Sequence, residues 1–155
     1  MAGTLTLSPS AAPFPWASAA IATFSGKAVL NFDTAATGVT LEIDGSKLAA
    51  EDEIVQALAK AGGLSDDSEK VRGAYLAWII LTHSCLSQTA SYFALAKSLP
   101  TFTAFPQITA ALDSLDDHLA FRTFLVGHDV TAADFIVWGA LKGLYAYMHS
   151  FAYLH

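Results

Sequence analysis

The chain has 155 residues, of which 14% are charged and 54% apolar, with a formal net charge of −6. That length suits one domain, or two small lobes sharing one core, and buries about 70% of the unfolded surface, so stability needs no staples. The lone Cys85 excludes an internal disulfide, no apolar run reaches the roughly 18 residues of a membrane span, and no Lys/Arg cluster offers phosphates a site.

The low charge carries a positive implication as well. An average globular chain is about 25% charged and 45–50% apolar, so some apolar surface here lacks a charged cover, and a protein interface explains it. Residues 1–16 hold no Lys or Arg, and Pro9, Pro13 and Pro15 interrupt any signal-like apolar core. A cytosolic protein is expected, and any link to RNA is expected to run through a partner.

In chain order, Thr4-Leu5-Thr6-Leu7 alternates as a short strand. The Ala-rich stretch 16–24, with Ile21 and Phe24 three apart, predicts a helix stopped by Ser25-Gly26. Residues 27–32 read as a strand. Val39-Thr40-Leu41-Glu42-Ile43 alternates, and Asp44-Gly45 signals a hairpin into a return strand at 47–49. Glu51-Asp52-Glu53 then opens an amphipathic helix with Ile54, Val55 and Leu58 inward and Gly62-Gly63 at its end. The order is β-α-β-β-β-α, and only residues 33–38 join the second and third strands.

The remainder predicts helices. Tyr75, Trp78, Thr82 and Cys85 recur at helical spacing, in a helix continuing through Tyr92 and Phe93 to about Leu99, and Pro100 ends it. Pro106 starts another, with Ile108, Leu112, Leu115 and Leu119 on one face as far as Arg122. A last helix opens at Thr131-Ala132-Ala133-Asp134. Thr followed three residues later by Asp predicts a capping box, in which the Thr131 hydroxyl accepts the Asp134 N–H and the Asp134 carboxylate accepts the Thr131 N–H. Val130 and Phe135 are spaced for the accompanying hydrophobic staple, with Phe135, Trp138 and Leu141 along one face. The boundary between lobes 1–64 and 65–155 falls at Ser65-Asp66-Asp67-Ser68.

A small β/α lobe followed by helices, one opened by Gly-x-x-x-Thr-x-x-Asp at residues 127–134, resembles the glutathione-transferase superfamily. Residues 119–143, with Arg-Thr-Phe-Leu-Val-Gly and Ala-Leu-Lys-Gly flanking the box, are similar to the appended N-terminal domains of eukaryotic cytosolic glutamyl-tRNA synthetases. The resemblance implies an α+β, glutathione-transferase-like fold: a truncated thioredoxin-like lobe, then an all-helical lobe. It also implies docking onto the transferase-like domain of a tRNA-binding cofactor or a sister synthetase within a multisynthetase complex. The parent enzyme would ligate glutamate to tRNA with ATP, but neither His-x-Gly-His nor Lys-Met-Ser-Lys-Ser occurs in these residues, and no cofactor is expected in this chain. Residues 92–105 and the C-terminal part would form the docking surface, with Tyr92, Phe102, Phe105, Arg122 and Tyr145 as candidate contacts.

Catalytic relatives place a cis-proline before the third strand and a Glu/Gln-Ser pair at the start of the next helix. Here Thr40 and Ala50-Glu51 stand at those places. The Glu51 carboxylate would face the substrate carboxylate with like charge. The short 33–38 link leaves no room for the usual second helix, and a non-catalytic scaffold is expected. A final helix with an Arg-Trp pair is usual in the family, whereas residues 144–155 carry Tyr145, Tyr147, Phe151 and Tyr153. Either the chain stops short or this aromatic stretch takes that helix's place.

Other candidates read as structural. Ser8, Ser18 and Ser25 lie near the first strand and helix, where a transferase keeps its activating hydroxyl, but caps and turns account for them. Cys85 reads as a core residue. His83 and Cys85 share no helical face, and His118, His128, His149 and His155 have no ligand spacing. Asp113, Asp116 and Asp117 read as a solvated face, and Trp78 and Trp138 as core. Arg122 is open to two readings: a bidentate anchor for a partner, or a tie to Asp129 or Asp134 within the fold. The alternatives to a docking domain are a glutathione-binding transferase with an unusual site and an adaptor that assembles with itself.

Overall fold

A computed structural model describes residues 3–11, 14–64 and 106–152, with side chains at 106–111, 114 and 144–152 excepted. The predicted helix within 71–99, the boundary at 65–68, and Trp78, His83, Cys85, Tyr92, Phe102, Phe105 and His155 lie outside the described residues. So do the side chains of Tyr145 and His149.

Strand β1 (Gly3–Leu7) leads through helix α1 (Trp16–Ser25) to the parallel strand β2 (Ala28–Phe32). Strands β3 (Thr40–Ile43) and β4 (Ser46–Leu48) follow antiparallel, giving the sheet order β2-β1-β3-β4. The β3–β4 turn takes positive φ at both Asp44 (48°) and Gly45 (78°), the two-residue geometry whose twist matches a hairpin. Helix α2 (Glu51–Gly62) carries three acids in its first turn and Lys60 in its last, in accord with the helix dipole. It buries Ile54, Val55, Leu58 and Ala59.

The pleat sorts the sheet into two unlike faces. Leu5, Leu7 and Leu41 are fully buried beneath α1 and α2, alongside Ile21, Ala22, Ile54 and Leu58. On the other face Thr4 pairs with Glu42 and Thr6 with Thr40, while Lys47 lies opposite Glu42 at 3.3 Å. The exposed ion pair adds little stability, but the row of threonines and charges lets this face meet water. Residues 33–39 turn back without forming a helix, so the link between β2 and β3 is short.

Among the described residues of the second half lie two helices, α3 (Pro106–Leu119) and α4 (Ala132–Ala152). Helix α3 ends at Leu119 rather than at Arg122, because the Arg122 N–H bonds the Leu119 carbonyl in a closing turn at 3.1 Å. Of its predicted face, Leu115 is buried, Leu112 is half-buried and Leu119 is exposed. Residues 144–152 continue α4 instead of forming a separate final helix. Among the described residues no helix is long and apolar enough to cross a membrane.

The core does not stop at the β/α lobe. Ala132 is fully buried in the same cluster as the sheet leucines, and Val130, Phe135 and Ile136 pack against it. A backbone bond also crosses: the Ala132 N–H, left without a partner in its own helix, is donated to the Leu64 carbonyl at 3.2 Å. Leu64 is placed there by the end of α2, where its own N–H bonds the Ala59 carbonyl at 2.9 Å.

Helices α1 and α4 cross closely because small residues meet there. A Cβ on Gly139 would lie 2.7 Å from the Ala17 nitrogen and 3.0 Å from its Cα. This contact corrects one sequence expectation, since no ring fits between axes so near each other. Trp138, expected in the core, is 47% exposed, and Phe24 beside it on α1 is 58% exposed. Phe24 leans on Phe135 with ring centres 5.1 Å apart, and Trp138 meets Trp16 edge to face at 6.3 Å.

Candidate functional site

The segment between α3 and α4 is held by one carboxylate. Asp134 Oδ2 accepts the Thr131 N–H at 2.8 Å, while Oδ1 accepts the Leu125 N–H at 2.9 Å. The Thr131 hydroxyl differs from expectation. It donates to Asp134 Oδ2 at 3.1 Å, and the Asp134 N–H bonds the Thr131 carbonyl at 3.2 Å. An ionised carboxylate is a stronger acceptor than a hydroxyl is for an amide, so the side chain turns toward the charge.

The Leu125 backbone is fastened on both sides, because its carbonyl receives His118 Nε2 at 2.9 Å. His118 Nδ1 in turn accepts from Arg122 Nη1 at 2.6 Å, and the Nε2–H tautomer serves both contacts. Beneath them Leu115, Leu125, Val126, Ala133 and Val137 form a second small core with Leu141 against it. Neither expected tie of Arg122, to Asp129 or to Asp134, is formed. Asp134 is occupied by three donors, and Arg122 turns back to α3 with its guanidinium exposed.

Beside it stands a residue that the sequence reading did not single out. Phe121 is 98% exposed, a whole aromatic ring in water on a segment whose backbone is braced a few residues away. Only its place in an apolar run past the end of α3 hinted at this, and apolarity alone suggested burial.

Thr40, Ala50 and the serines singled out in the sequence sit around the sheet and its helices. Thr40 opens β3 opposite Thr6, and Ala50 caps α2 without a side-chain hydrogen bond. Ser8 is buried at the end of β1 with its hydroxyl 3.1 Å from that of Ser10. Ser25 accepts the Lys27 N–H at 3.3 Å, as a turn residue does. Ser18 is fully buried, and among the described residues its hydroxyl has no hydrogen-bond partner. Ser18→Ala should therefore stabilise the chain by about 1 kcal/mol, seen as a rise in Tm, because a desolvated hydroxyl is removed. A fall in Tm would show that the hydroxyl is satisfied after all.

An apolar groove of about 420 Å³ lies instead on the outer side of α1 and α4, lined by Trp16, Ala19, Ala20, Thr23, Phe24 and Trp138. Lys142 stands 5.7 Å from the Trp16 ring centre. Asp113, Asp116 and Asp117 face solvent, and among the described residues no three His, Cys, Asp or Glu side chains converge on a metal position.

A mixed four-stranded sheet, two helices on one of its faces and a capped helix packed into the same core define a glutathione-transferase-like protein. Solved transferases share the fold. The Ascaris lumbricoides enzyme matches with a TM-score of 0.73 at 17% identity, over 95% of this chain and 82% of that one. The unclassified 2 transferase of Bombyx mori matches at 0.75 and 13% identity, over 94% and 80%. A Caenorhabditis elegans transferase matches at 0.72 and 20%, over 94% and 83%. Identities this low speak for the fold alone.

The chain belongs to the family "Glutathione S-transferase, C-terminal domain", whose model matches residues 48–155. It is also 41% identical over 56 residues to the probable cytoplasmic glutamate–tRNA ligase of Schizosaccharomyces pombe. That segment is 36% of this chain and 8% of the ligase, so the likeness is to a small part of a much longer protein.

Proposed function

We propose that this chain is a non-catalytic interaction domain of a cytoplasmic glutamate–tRNA ligase. It docks onto the transferase-like domain of a tRNA-binding cofactor or a sister synthetase and so assembles a multisynthetase complex. The observation that carries the reading is the pair Phe121 and Arg122, an aromatic ring and a guanidinium exposed side by side on a segment braced by Asp134 and His118. Aromatic and Arg side chains on rigid supports supply most of the energy at protein interfaces. The partial likeness to a glutamate–tRNA ligase supports the choice of parent. With a net charge of −6, this domain leaves tRNA contact to the cations of its partner. The synthetase's ATP and glutamate chemistry belongs to its other domains.

Calorimetric titration with a transferase-like cofactor domain tests the proposal. Phe121→Ser and Arg122→Ala should each weaken binding about tenfold or more while leaving Tm within a degree or two. Binding that ignores both substitutions would remove this surface from the reading. Retention on glutathione-agarose together with thiol transfer would replace the docking domain by a transferase.

A further inference from the structure

The two edges of the sheet are treated differently. Strand β4 is only three residues long and carries Lys47, both of which blunt an edge against pairing. Strand β2 has five residues, Ala-Val-Leu-Asn-Phe, with no charge, proline or bulge among them. Val29 is 64% and Phe32 58% exposed. Charges appear only where the strand begins and ends, as Lys27 before it and Asp33 after it.

The hydrogen bonds show which backbone groups face outward. The Lys27 carbonyl accepts from Gly3, and the Asp33 N–H donates to Leu7, so odd-numbered residues of β2 point their polar groups at β1. The N–H and C=O groups of Ala28, Leu30 and Phe32 therefore line the open edge, since the two residue parities alternate along a parallel ladder. A two-fold axis at Leu30 satisfies all of them at once. Leu30 then pairs with the partner's Leu30, and Ala28 with the partner's Phe32, each pair exchanging both bonds of a narrow antiparallel ring. The same axis sets Lys27 opposite the partner's Asp33 at both ends of the ladder. It also matches the large Phe32 with a small Ala28 on the helix-bearing face.

We infer that two copies of this chain associate through β2, edge to edge and antiparallel about Leu30, joining their sheets into one. The self-complementary order of charge, Lys27 ahead of the strand and Asp33 behind it, selects a second copy as the occupant. It favours the antiparallel register over a parallel one, which would set like charges side by side. The contact is small and therefore weak, and it lies apart from Phe121 and Arg122, so the docking reading stands or falls separately.

Sedimentation equilibrium of the full chain at roughly 0.05–1 mM should show the average mass rising from 16.4 kDa toward twice that value. Over the same range the amides of Ala28, Leu30 and Phe32 should gain protection from hydrogen exchange, while those of Val29 and Asn31 stay protected throughout. Lys27→Asp and Asp33→Lys should each weaken association about tenfold, and the double exchange should restore it. Lys27→Asp is the cleaner single variant, because Asp33 Oδ1 also accepts the Ala35 N–H at 2.8 Å. A chain that remains monomeric at every concentration would overturn the inference. A dimer with the Ala28, Leu30 and Phe32 amides still open, or a double exchange no better than its parents, would do the same.

Discussion

Asp134→Ala should cost about 3 kcal/mol, more than any other single change to the segment between α3 and α4. Its carboxylate accepts two backbone N–H groups from residues that are nearly buried, Thr131 at 7% and Leu125 at 5% exposed. Deleting the acceptor strands both donors, at about 1–3 kcal/mol each. Thr131→Ala removes only the hydroxyl and should cost about 0.5–2 kcal/mol. Urea unfolding of the two variants at unchanged slope gives the ordering directly. A Thr131 variant less stable than the Asp134 variant would mean that the hydroxyl, not the carboxylate, carries the cap. Arg122 would be affected as well, since Leu125 is the common attachment of Asp134 and His118. A loosened Leu125 should therefore weaken partner binding along with stability.

Gly139→Ala should destabilise by about 2 kcal/mol, against the direction of helix propensity. Alanine is the better helix former by up to about 1 kcal/mol, but the added methyl would sit 2.7 Å from the Ala17 backbone nitrogen. Backbone cannot turn aside as a side chain can, so α1 and α4 must separate, and overpacking of this kind costs roughly 1–3 kcal/mol. Gly143→Ala is the internal control. Among the described residues its Cβ would meet only Trp16 Cδ1 at 3.9 Å, an ordinary contact, and the same substitution there should be neutral or stabilising. Thermal melts of the pair separate the two effects. Equal shifts would mean that the α1–α4 approach is looser than the structure has it.

These two sites mark where the sequence could and could not be read. The hairpin was legible because Asp44-Gly45 is a local demand: two residues with positive φ between alternating strands. Helix α2 was legible because its acids, apolar spacing and terminal glycines agree. The pairing of Thr131 with Asp134 was legible as a spacing, but the direction of the hydroxyl was not. That direction depends on where Leu125 brings its N–H, nine residues away. Trp138 stays outside for a similar reason. A helical period says which residues share a face, not how near the next helix comes, and Ala17 against Gly139 leaves the rings at the rim.

The candidate site divides along the same line. That residues 33–38 are too few for a further helix could be taken from the chain directly, and the backbone turns back there without one. That Phe121 stands in water beside Arg122 could not, because apolar composition argues for burial wherever the surroundings are unknown. Local order of this kind, in turns, caps, helix acids and strand alternation, follows from the chain alone, since each depends on neighbours within a few residues. What Asp134 holds, which aromatic rings stay outside and which strand edge stays open came from packing. Those outcomes depend on distances between segments far apart in the chain, and no local preference encodes such distances.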